Sequence, residues 1–164
     1  MDKYLGSGQS AVLSNPALTG ISGAATTYSF SAFDAAFRGI VITVAADSGL
    51  ESPDLDAVTG LAFLPLAANT GCIFLWLIAS DGATVAVAQS RIADLDTQGN
   101  FKWDAPNFPP VPTTAAGLEY IPFAYVVAKN TGAAWTFGTT VWNAAGLGVS
   151  VKNVMELPDR PRQA

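Results

Sequence analysis

Apolar and polar positions alternate with period two in TTYSFSAF (26–33), where Tyr28, Phe30 and Ala32 stand between Thr27, Ser29 and Ser31. That is the signature of a half-buried β-strand. RGIVITVAAD (38–47) is β-branched and apolar on both faces and reads as the next strand. The most apolar stretch is GCIFLWLIASDGATVAVAQS (71–90): eight apolar residues from Cys72 to Ala79, a short turn, and a second apolar arm. Asp81-Gly82 between two such arms predicts a hairpin closed by a type I′ turn. With those two residues as the loop, Ile78 faces Val85, Trp76 faces Val87 and Phe74 faces Gln89 on one side. Leu77 faces Ala86, Leu75 faces Ala88 and Ile73 faces Ser90 on the other. Both sides are apolar near the turn, which calls for two covers. The expectation is a second sheet on one face and an arm or neighbouring subunit on the other, with Ile73, Leu75 and Leu77 as the oligomer contact face.

Further along, residues 48–60 read as a polar loop, and Ser52-Pro53 offers an N-cap and first-turn proline for one short helix over 52–60. LAFLPL (61–66) reads as a short edge strand, since Pro65 cannot donate to a ladder. DTQGN (96–100) is a turn, and WDAPNFPPVPTTAAG (103–117) is a proline-rich surface loop. YIPFAYVVAKN (120–130) is a strand, NTG (130–132) turns the chain into AAWTFGTT (133–140), and GVSVKNVMEL (148–157) alternates again. No segment carries a sustained helical stripe. Short strands with turn signals about every ten residues predict an all-β, antiparallel, jelly-roll-like β-sandwich.

The first 25 residues lack periodicity and fit a disordered tail as well as an extended arm that docks on a neighbour, for which Leu5, Val12, Leu13, Leu18 and Ile21 are spaced like anchors. The expected organisation is an extended N-terminal arm (1–25) that binds a partner, a sandwich domain (26–157) and a polar C-terminal tail (158–164).

Composition sharpens this picture. Of 164 residues, half are hydrophobic and only 13% are charged, about half the usual ~25%. Such a chain is expected to cover part of its surface with a partner. The net charge is −5 and the basic residues are scattered. That argues against nucleic acid, which needs a clustered cationic patch. The longest apolar run is far below the ~20 residues that span a bilayer, and no signal-peptide pattern opens the chain. A soluble protein made in a reducing cytoplasm is expected, with its single cysteine, Cys72, a buried small hydrophobe.

Candidate chemistry is sparse. The chain has no histidine, which removes the usual base for a serine or cysteine nucleophile and the commonest transition-metal ligand. Asp94-x-Asp96-x-Gln98-Gly99 opens like a calcium loop, but its twelfth position is Ala105 where a bidentate Glu belongs, so a turn is the better reading. Asp47, Glu51, Asp54 and Asp56 fall in one loop and read as a solvated acidic surface. Trp103, Phe108, Tyr120, Trp135 and Trp142 suit core or interface more than a sugar platform. No catalytic residue, metal or cofactor is expected, and the chain reads as a non-enzyme.

From Tyr120 onward one further pattern emerges. An apolar strand, a glycine turn, Phe137 to Thr140 (FGTT), the Ala144 to Gly146 turn (AAG) and Asn153 to Pro161 (NVMELPDRP) together resemble the closing segment of small virion structural proteins of tailed bacteriophages. The resemblance covers roughly residues 120–161. It implies a capsid decoration or cement protein that stabilises the outside of a shell. Its expected partners are the major capsid protein and further copies of itself, a trimer favoured over a dimer. Localisation would be the virion surface after synthesis in the host cytoplasm. The alternative expectation is a carbohydrate- or receptor-binding module of a tail fibre or spike, which would show exposed, coplanar tryptophans.

Overall fold

A computed structural model describes residues 10–102, 104–112 and 117–153. All regular structure among them is β, and every strand pairing is antiparallel. The strands are β1 (Ala11–Val12), β2 (Thr27–Phe30), β3 (Phe33–Phe37), β4 (Ile40–Val44), β5 (Asp47–Glu51), β6 (Thr70–Ala79), β7 (Val85–Gln89), β8 (Ala93–Asp94), β9 (Tyr120–Asn130) and β10 (Leu147–Asn153). The largest sheet runs β10-β9-β6-β7, with β8 pairing the start of β6. A three-stranded sheet, β1-β3-β4, and a two-stranded sheet, β2-β5, complete the sandwich-like arrangement.

β6 lies at the centre because its sequence suits only a strand covered on both faces. Cys72, Phe74, Trp76 and Ile78 face the main core, where the smaller sheets supply Tyr28, Phe30, Phe33, Ala35 and Val44. Phe33 stacks on Phe123 with ring centroids 5.3 Å apart, and Tyr28 meets Trp76 edge-on at 6.1 Å. Full burial stabilises each such side chain by about 1.5–3 kcal/mol. Phe123 reaches this core through a bulge. Trp76 pairs with Ala124, but Leu77 pairs with Pro122, so Phe123 is the extra residue of β9. Pro122 sits beside that bulge, where a missing N–H is tolerated.

The other face of β6 is closed by this chain itself. Ile73, Leu75 and Leu77 are at most 1% exposed. They cluster with Ala88, Tyr125 and Val127, and Ala57, Phe101, Phe108 and Tyr120 pack onto them. Phe108 meets Tyr125 edge-on at 5.0 Å. The contact-face expectation for Ile73, Leu75 and Leu77 is therefore corrected. The large-against-small pairing with Ala86 and Ala88 makes room for the chain's own loops.

The β6–β7 register agrees with the sequence reading at every pair from Phe74↔Gln89 to Ile78↔Val85. The turn type does not. Gly82 has φ +70°, while Asp81 stays at negative φ. The tight turn closes one residue earlier, with the Gly82 N–H donating to Ala79 O at 2.9 Å. Asp81 Oδ1 then accepts the N–H groups of Ala83 and Thr84, both at 2.9 Å. The side chain supplies what a second positive-φ residue would have supplied. A two-residue type I′ turn is found instead at Arg38-Gly39, with φ +50° and +84°, joining β3 to β4.

Residues 10–25 belong to the domain, which corrects the expectation of a separable arm over this stretch. Val12 pairs with Ala35, and Val12, Leu18 and Ile21 lie in the main core at 4%, 4% and 2% exposure. The Leu18 N–H donates to Asn153 Oδ1 at 2.7 Å, and the Ser31 N–H to Pro16 O at 2.7 Å. Leu13 points outward. Leu5 and the tail over 158–164 lie outside the described residues. Four smaller expectations also change: 48–51 of the polar loop belongs to β5, which pairs with β2; Asp56 is buried where a solvated acidic surface is expected; 52–60 forms turns without a helix; and 61–66 makes single bridges (Leu55↔Ala62, Leu66↔Trp135) in place of a strand.

Candidate functional site

Residues 52–66, SPDLDAVTGLAFLPL, form a tied loop beside the outer edge of β7. Asp56 organises it. Its carboxylate is buried: Oδ1 accepts the Gln89 N–H at 2.9 Å, and Oδ2 accepts the Thr59 N–H at 3.0 Å and the Thr59 hydroxyl at 2.7 Å. The Asp56 N–H donates to Leu61 O and the Gly60 N–H to Asp56 O, each at 2.8 Å. The Ala57 N–H donates to Val87 O at 2.9 Å. Gln89 completes the seal, its Oε1 accepting the Leu64 N–H at 2.8 Å and its Nε2 donating to Leu64 O at 2.9 Å. This loop thus satisfies groups that an open edge would offer to another strand.

Inside the loop, Phe63 and Leu66 are buried, and Phe63 lies 4.4 Å from the Phe137 ring centroid. Outside it, Leu55, Val58, Leu61 and Leu64 are 55%, 40%, 68% and 64% exposed. Four large aliphatic side chains within ten residues, on a loop held by a buried carboxylate, are costly to present to water and gain by being covered. Next to them opens a groove of about 580 Å³, whose lining includes Pro53, Asp54, Leu55, Val85, Pro112 and Tyr120. The loop is hard to single out in the sequence because Leu55 and Val58 sit among polar residues. The legible signal was the density of leucines around Gly60 and Pro65.

Other candidates serve structure. Cys72 is buried, and burial pushes its thiol pKa up to about 12 against a weak contact from Gln89 Nε2 at 3.7 Å. A thiol so placed forms no thiolate near neutral pH. Asp96 Oδ1 accepts the N–H groups of Asn100 at 2.8 Å and Gln98 at 2.9 Å, which lowers its pKa and makes it the staple of a turn. Asp81 is likewise lowered, chiefly by the Thr84 hydroxyl and then by the Thr84 N–H. Among the described residues no three His, Cys, Asp or Glu side chains gather in a way that holds a metal. Trp76, Trp135 and Trp142 are at most 1% exposed and pack on Phe137, so Trp135 and Trp142 form no exposed platform. Trp103 lies outside the described residues.

No family model matches the chain, and no curated protein and no solved structure matches it.

Proposed function

We propose that this chain is a structural virion protein, a decoration or cement protein that binds the outside of a bacteriophage capsid. The observation that carries the reading is the tied loop with Leu55, Val58, Leu61 and Leu64 held outward. A loop already fixed by Asp56 and Gln89 loses little conformational entropy on docking, so covering its leucines yields net affinity. The resemblance of residues 120–161 to virion structural proteins supplies the partner class, a major capsid protein. The mechanism is additional buried contact area across capsomer boundaries, which resists pressure from packaged DNA. Further copies of the chain on the same shell reinforce the contact, in the trimers that the resemblance favours.

Burial of Trp135 and Trp142 removes the aromatic platform that a carbohydrate-binding module would have drawn from them. The direct test is binding of purified protein to undecorated capsids. Leu61→Asp combined with Leu64→Asp should abolish binding and leave the melting temperature unchanged. Undiminished binding by a folded double variant would remove the loop from the contact.

A further inference from the structure

We propose that β4 is a self-recognition edge: two copies of this chain pair their β4 strands antiparallel, about a two-fold axis through Ile42. This contact does not depend on the capsid reading.

β4 ends the β1-β3-β4 sheet, with β3 on one side and no described strand on the other. The Arg38-Gly39 turn makes Phe37↔Ile40 the closing hydrogen-bonded pair, so bonded pairs recur at Ile42 and Val44. Val41 and Thr43 therefore aim their backbone N–H and C=O groups away from β3, along the open edge. Native edges are commonly blunted by charge, proline, bulges or a covering loop. IVITV has no charge and no proline, and its register with β3 is unbroken. The contrast lies within the same molecule: β7 is sealed by Asp56 and Gln89, and β10 carries Gly148 and Lys152. Ile40 and Val41 are also 70% and 50% exposed, so apolar side chains accompany the open backbone.

The strand is complementary to itself in one register above others. An antiparallel two-fold pair must place some residue opposite its own copy, because outward and inward backbone groups alternate. With Ile42 on the axis, Val41 bonds Thr43 of the second copy and Thr43 bonds Val41, using both outward-facing residues. Ile40 then faces Val44 of the second copy. Arg38, whose Nε is paired with Glu119 Oε2 of its own chain at 2.8 Å, stands at one end of the strand and comes beside Asp47 of the second copy just beyond the other end, so in each of the two symmetric places a second carboxylate joins a guanidinium that already holds one; Arg38 and Asp47 are both exposed. Parallel pairing would set like charges side by side. So short an edge buries less than the ~1,200 Å² of a standard stable interface. Pairing is therefore concentration-dependent, and a crowded surface would favour it. A three-fold arrangement would need a different surface.

The experiment is sedimentation equilibrium of the full chain from micromolar to millimolar concentration, with two kinds of variant. The wild type should pass from monomer to dimer across that range. Val41→Lys should remain monomeric with an unchanged melting temperature, and Leu61→Asp should dimerise like the wild type. Under mild oxidation Ile42→Cys should form a covalent dimer, because a residue on the axis meets its own copy at about 4.5 Å between Cα atoms. Thr43→Cys, which faces Val41, should cross-link far less. Any of three results overturns the proposal: a wild type that stays monomeric throughout, dimers that survive Val41→Lys or vanish with Leu61→Asp, or equal cross-linking at positions 42 and 43. Failure here leaves capsid binding by the leucine loop standing, and failure of capsid binding leaves this dimer standing.

Discussion

The carboxylate of Asp56 takes the backbone N–H of Gln89 at 2.9 Å, across 33 residues of chain. One contact both closes the edge of β7 and fixes the loop that holds four aliphatic side chains in water. Removing it should therefore affect stability and binding together.

Asp56→Ala leaves the Gln89 and Thr59 N–H groups without their acceptor. A loss of about 1–3 kcal/mol in urea unfolding is expected, with faster hydrogen exchange at those two amides. Unchanged stability and exchange would show that the loop holds itself without the carboxylate.

Ile21 is 2% exposed in the main core. Ile21→Ala should cost about 2–5 kcal/mol, and deletion of residues 10–25 should prevent folding. A truncated chain that melts like the full one would restore the separable arm.

Gly82 stands at φ +70°, and a Cβ there would meet Ile42 Cδ1 at 3.2 Å. Gly82→Val should cost about 1–3 kcal/mol through backbone strain alone, and Gly39→Val in the neighbouring type I′ turn a similar amount. Wild-type melting by the Gly82 variant would refute the turn geometry.

Alkaline pH should unfold the protein. Burial raises Cys72 from 9.0 to about 12, and burial with the nearby Asp47 charge raises Tyr28 from 10.0 to about 12. The unfolded chain releases these protons first, so stability is full below about pH 9 and falls as pH rises toward 12. Cys72→Ala should flatten the lower part of that fall, between pH 9 and 10. A stability profile level from pH 8 to 12 would contradict the burial of both groups.

Legibility in the sequence followed periodicity. The β6–β7 register and the existence of β2, β4, β6 and β9 were readable because period-two patterns and turn residues act locally. The turn at Asp81 was misassigned because a side-chain acceptor replaced a backbone conformation, which residue type alone does not reveal. The cover over Ile73, Leu75 and Leu77 comes from Phe101 and Phe108, about thirty residues away in sequence, in segments with no period. Val12, Leu18 and Ile21 looked like anchors for a foreign surface. Spaced apolar residues serve equally to thread a chain into its own core, and only the three-dimensional pairing with Ala35 and Asn153 distinguishes the two. The leucine loop is unmarked by any period because exposure, the property that makes it a candidate site, is set only by folding.

A protein proposed to act by covering a shell is best judged by its amount in purified virions relative to the major capsid protein. Copies should stand in regular proportion to capsomers over the whole surface and be lost with the combined Leu61→Asp and Leu64→Asp substitutions. A chain found in a small minority of copies at the tail, or absent from washed particles, would contradict it.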